Sequence, residues 1–147
     1  EGEFALGNMF MSGRGVTQDP IEAIQWMRRA AEHGFARAQF NLGMSYDTGT
    51  GVERSATDAA HWFERAAQQG ETSAQHNLGV MYANGDGVPQ DLVQAHLWLS
   101  LAAAGSTDAT RASALRGRDT VAQQLSPSQR AEAEQRAGTW RPSDEPR

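Results

Sequence analysis

The sequence predicts an all-α fold, an αα-superhelical solenoid of three 36-residue helix pairs wound right-handed and closed by a C-terminal helical cap. Three observations predict it. A shift of 36 residues superposes three segments with nine identical columns, among them Leu6, Leu42 and Leu78; Gly15, Gly51 and Gly87; and Trp26, Trp62 and Trp98. A period of this size is the signature of stacked units that each bury an apolar face on a neighbour. Within each copy, apolar residues recur at helical spacing between glycines and N-cap residues,. After residue 106 the period is lost while helical signals continue, as expected of a terminal unit with one polar face,.

The first helix of a unit is clearest in the second copy, where Ala38, Leu42 and Tyr46 recur every four residues. The run stops at Thr48, Gly49, Thr50 and Gly51, with glycine supplying the positive φ of the turn,. The second helix opens at a cap. Asp19 is followed by Glu22, Ser55 by Asp58 and Asp91 by Gln94, each an N-cap with a polar residue three positions on, and Pro20 takes a first helical position,. Ala59, Trp62, Phe63 and Ala66 then form one buried face, and Gly34, Gly70 and Gly105 end the second helices. Small residues sit where helices approach closely, and tryptophan fills the volume left over. The units fall at about 1–36, 37–72 and 73–106. Beyond them, Ser106, Thr107 and Asp108 offer a cap to a helix carrying Ala112, Leu115, Val121, Ala122 and Leu125, with Gly117 a candidate break. Ser126 and Pro127 open another through Ala133 and Ala137 to Gly138, so 107–140 reads as the helical cap and 141–147 as a flexible tail,.

Composition removes whole classes of chemistry. All 13 basic side chains are Arg, and cysteine is absent. A Schiff-base lysine, a Walker-type phosphate loop, a Ser-x-x-Lys acyl transferase, a thiolate nucleophile, a disulfide and a zinc-thiolate site are thereby excluded. The net charge of -5 is unevenly spread, with six Arg against twelve acids in residues 1–105 and seven Arg against six acids in 106–147. Neither part makes the basic stripe a phosphate backbone needs, so nucleic acid is not an expected partner. The longest uncharged stretch, Leu92 to Thr107, has 16 residues including Gln94 and His96, too short and too polar for membrane insertion,. Glu1 opens the chain without a signal-peptide pattern, which predicts a processed protein or a fragment of a longer one,.

Taken in order, Leu-Gly-x-x-Tyr/Phe, Gly-x-Gly-Val-x-x-Asp and Ala-x-x-Trp-x-x-x-Ala-Ala resemble the Sel1-like repeat, a relative of the tetratricopeptide repeat, over about residues 2 to 106. The Arg118-Asp119 step and the closing Ala137, Gly138, Thr139 and Trp140 look like the segment that follows the repeats in many bacterial Sel1-like proteins. The resemblance implies a non-enzymatic scaffold or adaptor that holds a peptide or helix of another protein in a concave groove, in bacterial signalling or envelope assembly. The resemblance leaves the compartment open between bacterial periplasm and cytoplasm, with a lean to the periplasm. A β-lactam-related, wall-active hydrolase is the alternative, disfavoured because this chain has neither Cys nor Lys.

His33, His61, His76 and His96 form no pair at i, i+4 and read as surface or packing residues,. No catalytic, cofactor-binding or metal-binding residue is assigned. What remains is surface. If the first helices line the inner curve, as the tetratricopeptide resemblance implies, the columns left over from the core give a partner-binding groove. It would hold Phe4, Asn8 and Met11 from the first copy, Arg37, Phe40, Met44 and Asp47 from the second, and His76 and Val80 from the third. Apolar ladders on a surface mark binding sites, and a lone Arg suits one partner carboxylate. Two packing explanations compete: Phe40 and Met44 tuck against the next helix, or the C-terminal helices cover the curve.

Overall fold

Glycine at the end of each first helix sets the layout. In the computed structural model, which describes residues 1–144, Gly13, Gly49 and Gly85 take left-handed backbone and turn the chain back on itself,. The resulting pairs are α1 (Gly2–Ser12) with α2 (Pro20–Glu32), α3 (Ala36–Thr48) with α4 (Ala56–Gln68), and α5 (Thr72–Asn84) with α6 (Leu92–Gly105). Asp19, Ser55 and Asp91 cap the second helices, accepting from the backbone N–H of Glu22, Asp58 and Gln94 respectively,. Glu22 does not return the bond to its cap; its carboxylate accepts from Trp26 Nε1 at 3.0 Å.

Each pair stacks on the next through its second helix, α2 on α3 and α4 on α5. The tryptophan column belongs to these junctions. Trp62 packs in one cluster with Ile24, Met27, Ala38 and Leu42, and Trp98 in the next with Phe63, Ala74, Leu78 and Met81. A second column locks the same junctions with polar bonds. Gln39 and Gln75, both buried, donate Nε2–H to the carbonyls of Ala31 and Ala67 at the end of the preceding second helix. The Gln39 amide oxygen accepts from Gln69, and in the first repeat the Glu3 carboxylate takes His33 as the corresponding partner, each contact at 2.8 Å. In the third repeat that partner position is Gly105, and among the described residues the buried Gln75 Oε1 has no hydrogen-bond partner.

The C-terminal end departs from this pattern. Helix α7 (Ala109–Ala122) occupies the place of a next first helix, packing on α6 and reaching α5. Helix α8 (Pro127–Thr139) folds back onto α6 instead of completing a fourth pair. Its start carries the full reciprocal capping box, Ser126 with Gln129,. Gly117 does not break α7. A Cβ built there would stand 3.3 Å from Leu99, so the glycine lets α7 approach α6, and packing overrides its poor helix propensity,. Leu99, Ala103, Ala114, Val121 and Leu125 make the third core cluster. Of the tail, residues 145–147 lie outside the described residues, while the Ser143 N–H donates to the Gln68 carbonyl at 2.8 Å.

Candidate functional site

The face of the first helices carries two adjoining clefts. One, of about 250 Å³, is lined by Phe4, Arg37, Phe40, Asn41, Glu71 and Ser73. The other, of about 210 Å³, lies between α1 and α3 and takes in Asn8, Met11, Met27, Asn41, Met44 and Thr48. Asn41 lines both, which joins them into one furrow crossing α1 and α3 and reaching the start of α5.

Six of the nine sequence-predicted residues thus come together: Phe4, Arg37 and Phe40 in one cleft, Asn8, Met11 and Met44 in the other. The remaining three lie apart. The His76 ring, Nε2 3.0 Å from Ser113 Oγ, is engaged with α7, so α7 covers that end of the face. Val80 stands 38% exposed on α5. Asp47 is half-buried at the end of α3, where its carbonyl accepts from Arg54 Nε.

The aromatic residues of the furrow are also part of the frame. Phe4 meets Phe35 edge-on at 4.9 Å between ring centroids, and Phe40 leans on Phe63 at 5.8 Å. Asn77 Nδ2 lies 3.3 Å from the Met44 sulfur. Sequence reasoning missed Asn41, Met27, Thr48 and Glu71. The first two sit on columns that otherwise read as core or solvent. Thr48 ends α3 at the glycine turn, and Glu71 comes from the turn before α5, whose approach to Arg37 depends on how the repeats stack.

A third cavity, of about 430 Å³, opens between α6, α7 and α8 and is lined by His96, Ser100, Arg118, Asp119, Arg130 and Glu134 among others. Burial and the Arg118 guanidinium, with Arg130 adding, hold the His96 imidazole below its ordinary range against the opposing pull of Glu134 and Asp119,. Its folded-state pKa lies under the unfolded value of about 6.5, so the unfolded chain binds the proton more readily,. The contribution of His96 to stability is therefore fully present above about pH 6.5 and falls away as pH drops through the folded-state value. Melting midpoints at pH 7.5 and 5.5, roughly one unit either side of that value, are expected to separate less in His96→Gln than in the parent. Equal separation in both proteins would refute the assignment.

Among the described residues no group of three or more His, Asp and Glu is placed to hold a metal ion, and no helix is long and apolar enough to cross a membrane. The family model for the Sel1 repeat matches residues 1–35, 36–71 and 72–106. No curated protein matches the chain. Among solved structures, it is similar to a Sel1 repeat protein from Oxalobacter formigenes, at 36% identity and a TM-score of 0.70, over 71% of this chain and 41% of that one. It is also similar to a protective antigen present in uropathogenic Escherichia coli strains and displaying an SLR fold, at 27% identity and a TM-score of 0.73, over 95% of this chain and 37% of that one. The chain thus spans about two fifths of the length of these two structures. With three consecutive matches, the helix-pair stacking seen here and the shared fold of these relatives, the chain belongs to the Sel1 repeat family.

Proposed function

We propose that this chain is a non-enzymatic interaction module whose first-helix furrow holds an extended peptide or a helix of another protein. Proteins of the family generally act as interaction scaffolds. The observation that carries the reading here is the continuity of the furrow through Asn41. Its two lobes are small beside the roughly 300–1,000 Å³ of small-molecule sites, and suit successive side chains of a peptide. Thioethers of Met11 and Met44 adapt to apolar side chains, while the amides of Asn8 and Asn41 can donate to and accept from a peptide backbone. Arg37 and Glu71 face the same lobe and give the partner one acidic and one basic contact,. The role belongs to bacterial signalling or envelope assembly.

The test uses Arg37→Glu with Asn41→Ala, because Phe40 supports the core through Phe63 and its loss would confound folding with binding. Parent and double variant serve as baits in capture from the source organism, followed by titration of peptides from the recovered protein. Each substitution is expected to weaken binding by about 1–3 kcal/mol with the melting midpoint unchanged. Recovery of the same proteins in equal amounts by both baits would end the groove reading.

A further inference from the structure

Helix α8 is an odd lid if its only task is to shut a hydrophobic stack. Protein interiors are packed to crystal-like density, and a covering helix ordinarily fills the gap beneath it with apolar side chains. The space of about 430 Å³ where α6, α7 and α8 meet is instead a solvent-open cleft walled largely by charged and polar groups on all three helices. That volume lies within the roughly 300–1,000 Å³ typical of small-molecule sites.

The groups divide into two kinds. His96 lines the cavity while only 4% exposed. Ser100 Oγ lies 3.4 Å from its Nδ1; with the hydroxyl donating there, the ring proton sits on Nε2 and is itself a donor,. Burial and Arg118 keep the ring neutral at pH 7,. Arg118 gives Nε and Nη2 to Asp119, and Arg130 gives Nη2 to the Ala122 carbonyl, which leaves guanidinium N–H groups of both to bind an anion. Beside them stands Glu134, one helical turn beyond Arg130 on the same face of α8, an acceptor and a negative charge,.

The charges sum to nothing: two guanidiniums, two carboxylates and a neutral imidazole. A phosphate would have to sit against Glu134 and Asp119, and a simple cation against both arginines, each a like-charge contact. A molecule with a carboxylate and an ammonium a few bonds apart satisfies both kinds of group. We propose that the α6–α8 cavity binds a free α-amino acid, the carboxylate held by Arg118, Arg130 and the His96 Nε2–H, and the ammonium held by Glu134. This site is separate from the furrow, so the fate of either does not decide the other.

Isothermal titration calorimetry of the full chain against each proteinogenic α-amino acid singly tests it, with inorganic phosphate and the N-acetyl and α-amide derivatives of any binder alongside. At least one amino acid is expected to bind saturably with a Kd between about 1 μM and 1 mM. Removing either ligand charge, or making Arg130→Gln or Glu134→Gln in the protein, is expected to weaken binding on the order of tenfold or more, the loss of one charged contact. Both side chains are exposed, and an unchanged circular dichroism spectrum verifies the fold of each variant. Absence of binding by every amino acid at about ten times that upper Kd, binding undiminished in both variants, or phosphate binding as tightly as the amino acid would overturn the proposal.

Discussion

Removal of residues 107–147 is expected to leave a chain that self-associates or loses helicity. The reason lies in α6. In the column of Gln25 and His61, both exposed, α6 carries Leu97, which is buried; in the column of Arg29 and Arg65 it carries Leu101. With Trp98 and Leu99 also buried, the helix is apolar nearly all round, a pattern that is stable only when neighbours surround it,. Helix α5 covers one side, while α7 and α8 supply the rest, and Trp140 adds its ring against Trp98 at 6.3 Å. Uncovering Leu97 and Leu99 alone costs roughly 3–6 kcal/mol, comparable with the whole stability of a small domain at about 5–15 kcal/mol. Size-exclusion chromatography with circular dichroism measures the outcome. A soluble fragment of residues 1–106 with the helicity of the intact repeats would show that the C-terminal helices are not a lid.

The same columns mark what the sequence alone makes legible. Repetition made the pairs legible, because Leu42, Ala59 and Trp62 each appear three times at one spacing and chance does not do that. The uncharged run of α6 announced that something must cover it. The route of α8 was not legible: Ala133 is its one buried residue, and nothing in so polar a helix states whether it pairs with α7 or returns to α6. The furrow was half legible. Columns place Phe4, Met11, Arg37 and Met44 on one face, but whether α7 lies over that face at His76 depends on the angle of a helix outside the repeat. The cavity under α8 was not legible at all, since His96, Arg118 and Glu134 lie on three helices with no shared period.

Stacking distance itself is set by a glycine, and one pair of substitutions isolates that effect. Gly51 has φ +72°, and a Cβ there would stand 2.4 Å from the Pro20 carbonyl oxygen and 2.9 Å from Ile24 Cγ1. Gly15 occupies the same column with φ +76°, yet among the described residues its nearest neighbour would be Met9 Cε at 3.6 Å, the flexible end of a side chain. Alanine at either position bears the left-handed backbone cost of about 1–2 kcal/mol, and restricts the unfolded chain by the same amount. Only at Gly51 must the junction also open, since the obstacle is backbone and cannot rotate away; overpacking of this kind adds about 1–3 kcal/mol. Urea unfolding is therefore expected to show Gly51→Ala losing about 1–3 kcal/mol more than Gly15→Ala. The loss should reach the furrow too, because the turn holding Gly51 rests on Pro20 and Ile24 of α2, and Thr50 of that turn lines the cleft with Asn8 and Met11. Equal losses at the two glycines would mean that the repeats can slide apart at no cost, and that the α1–α3 cleft is not held at a fixed width by the turn.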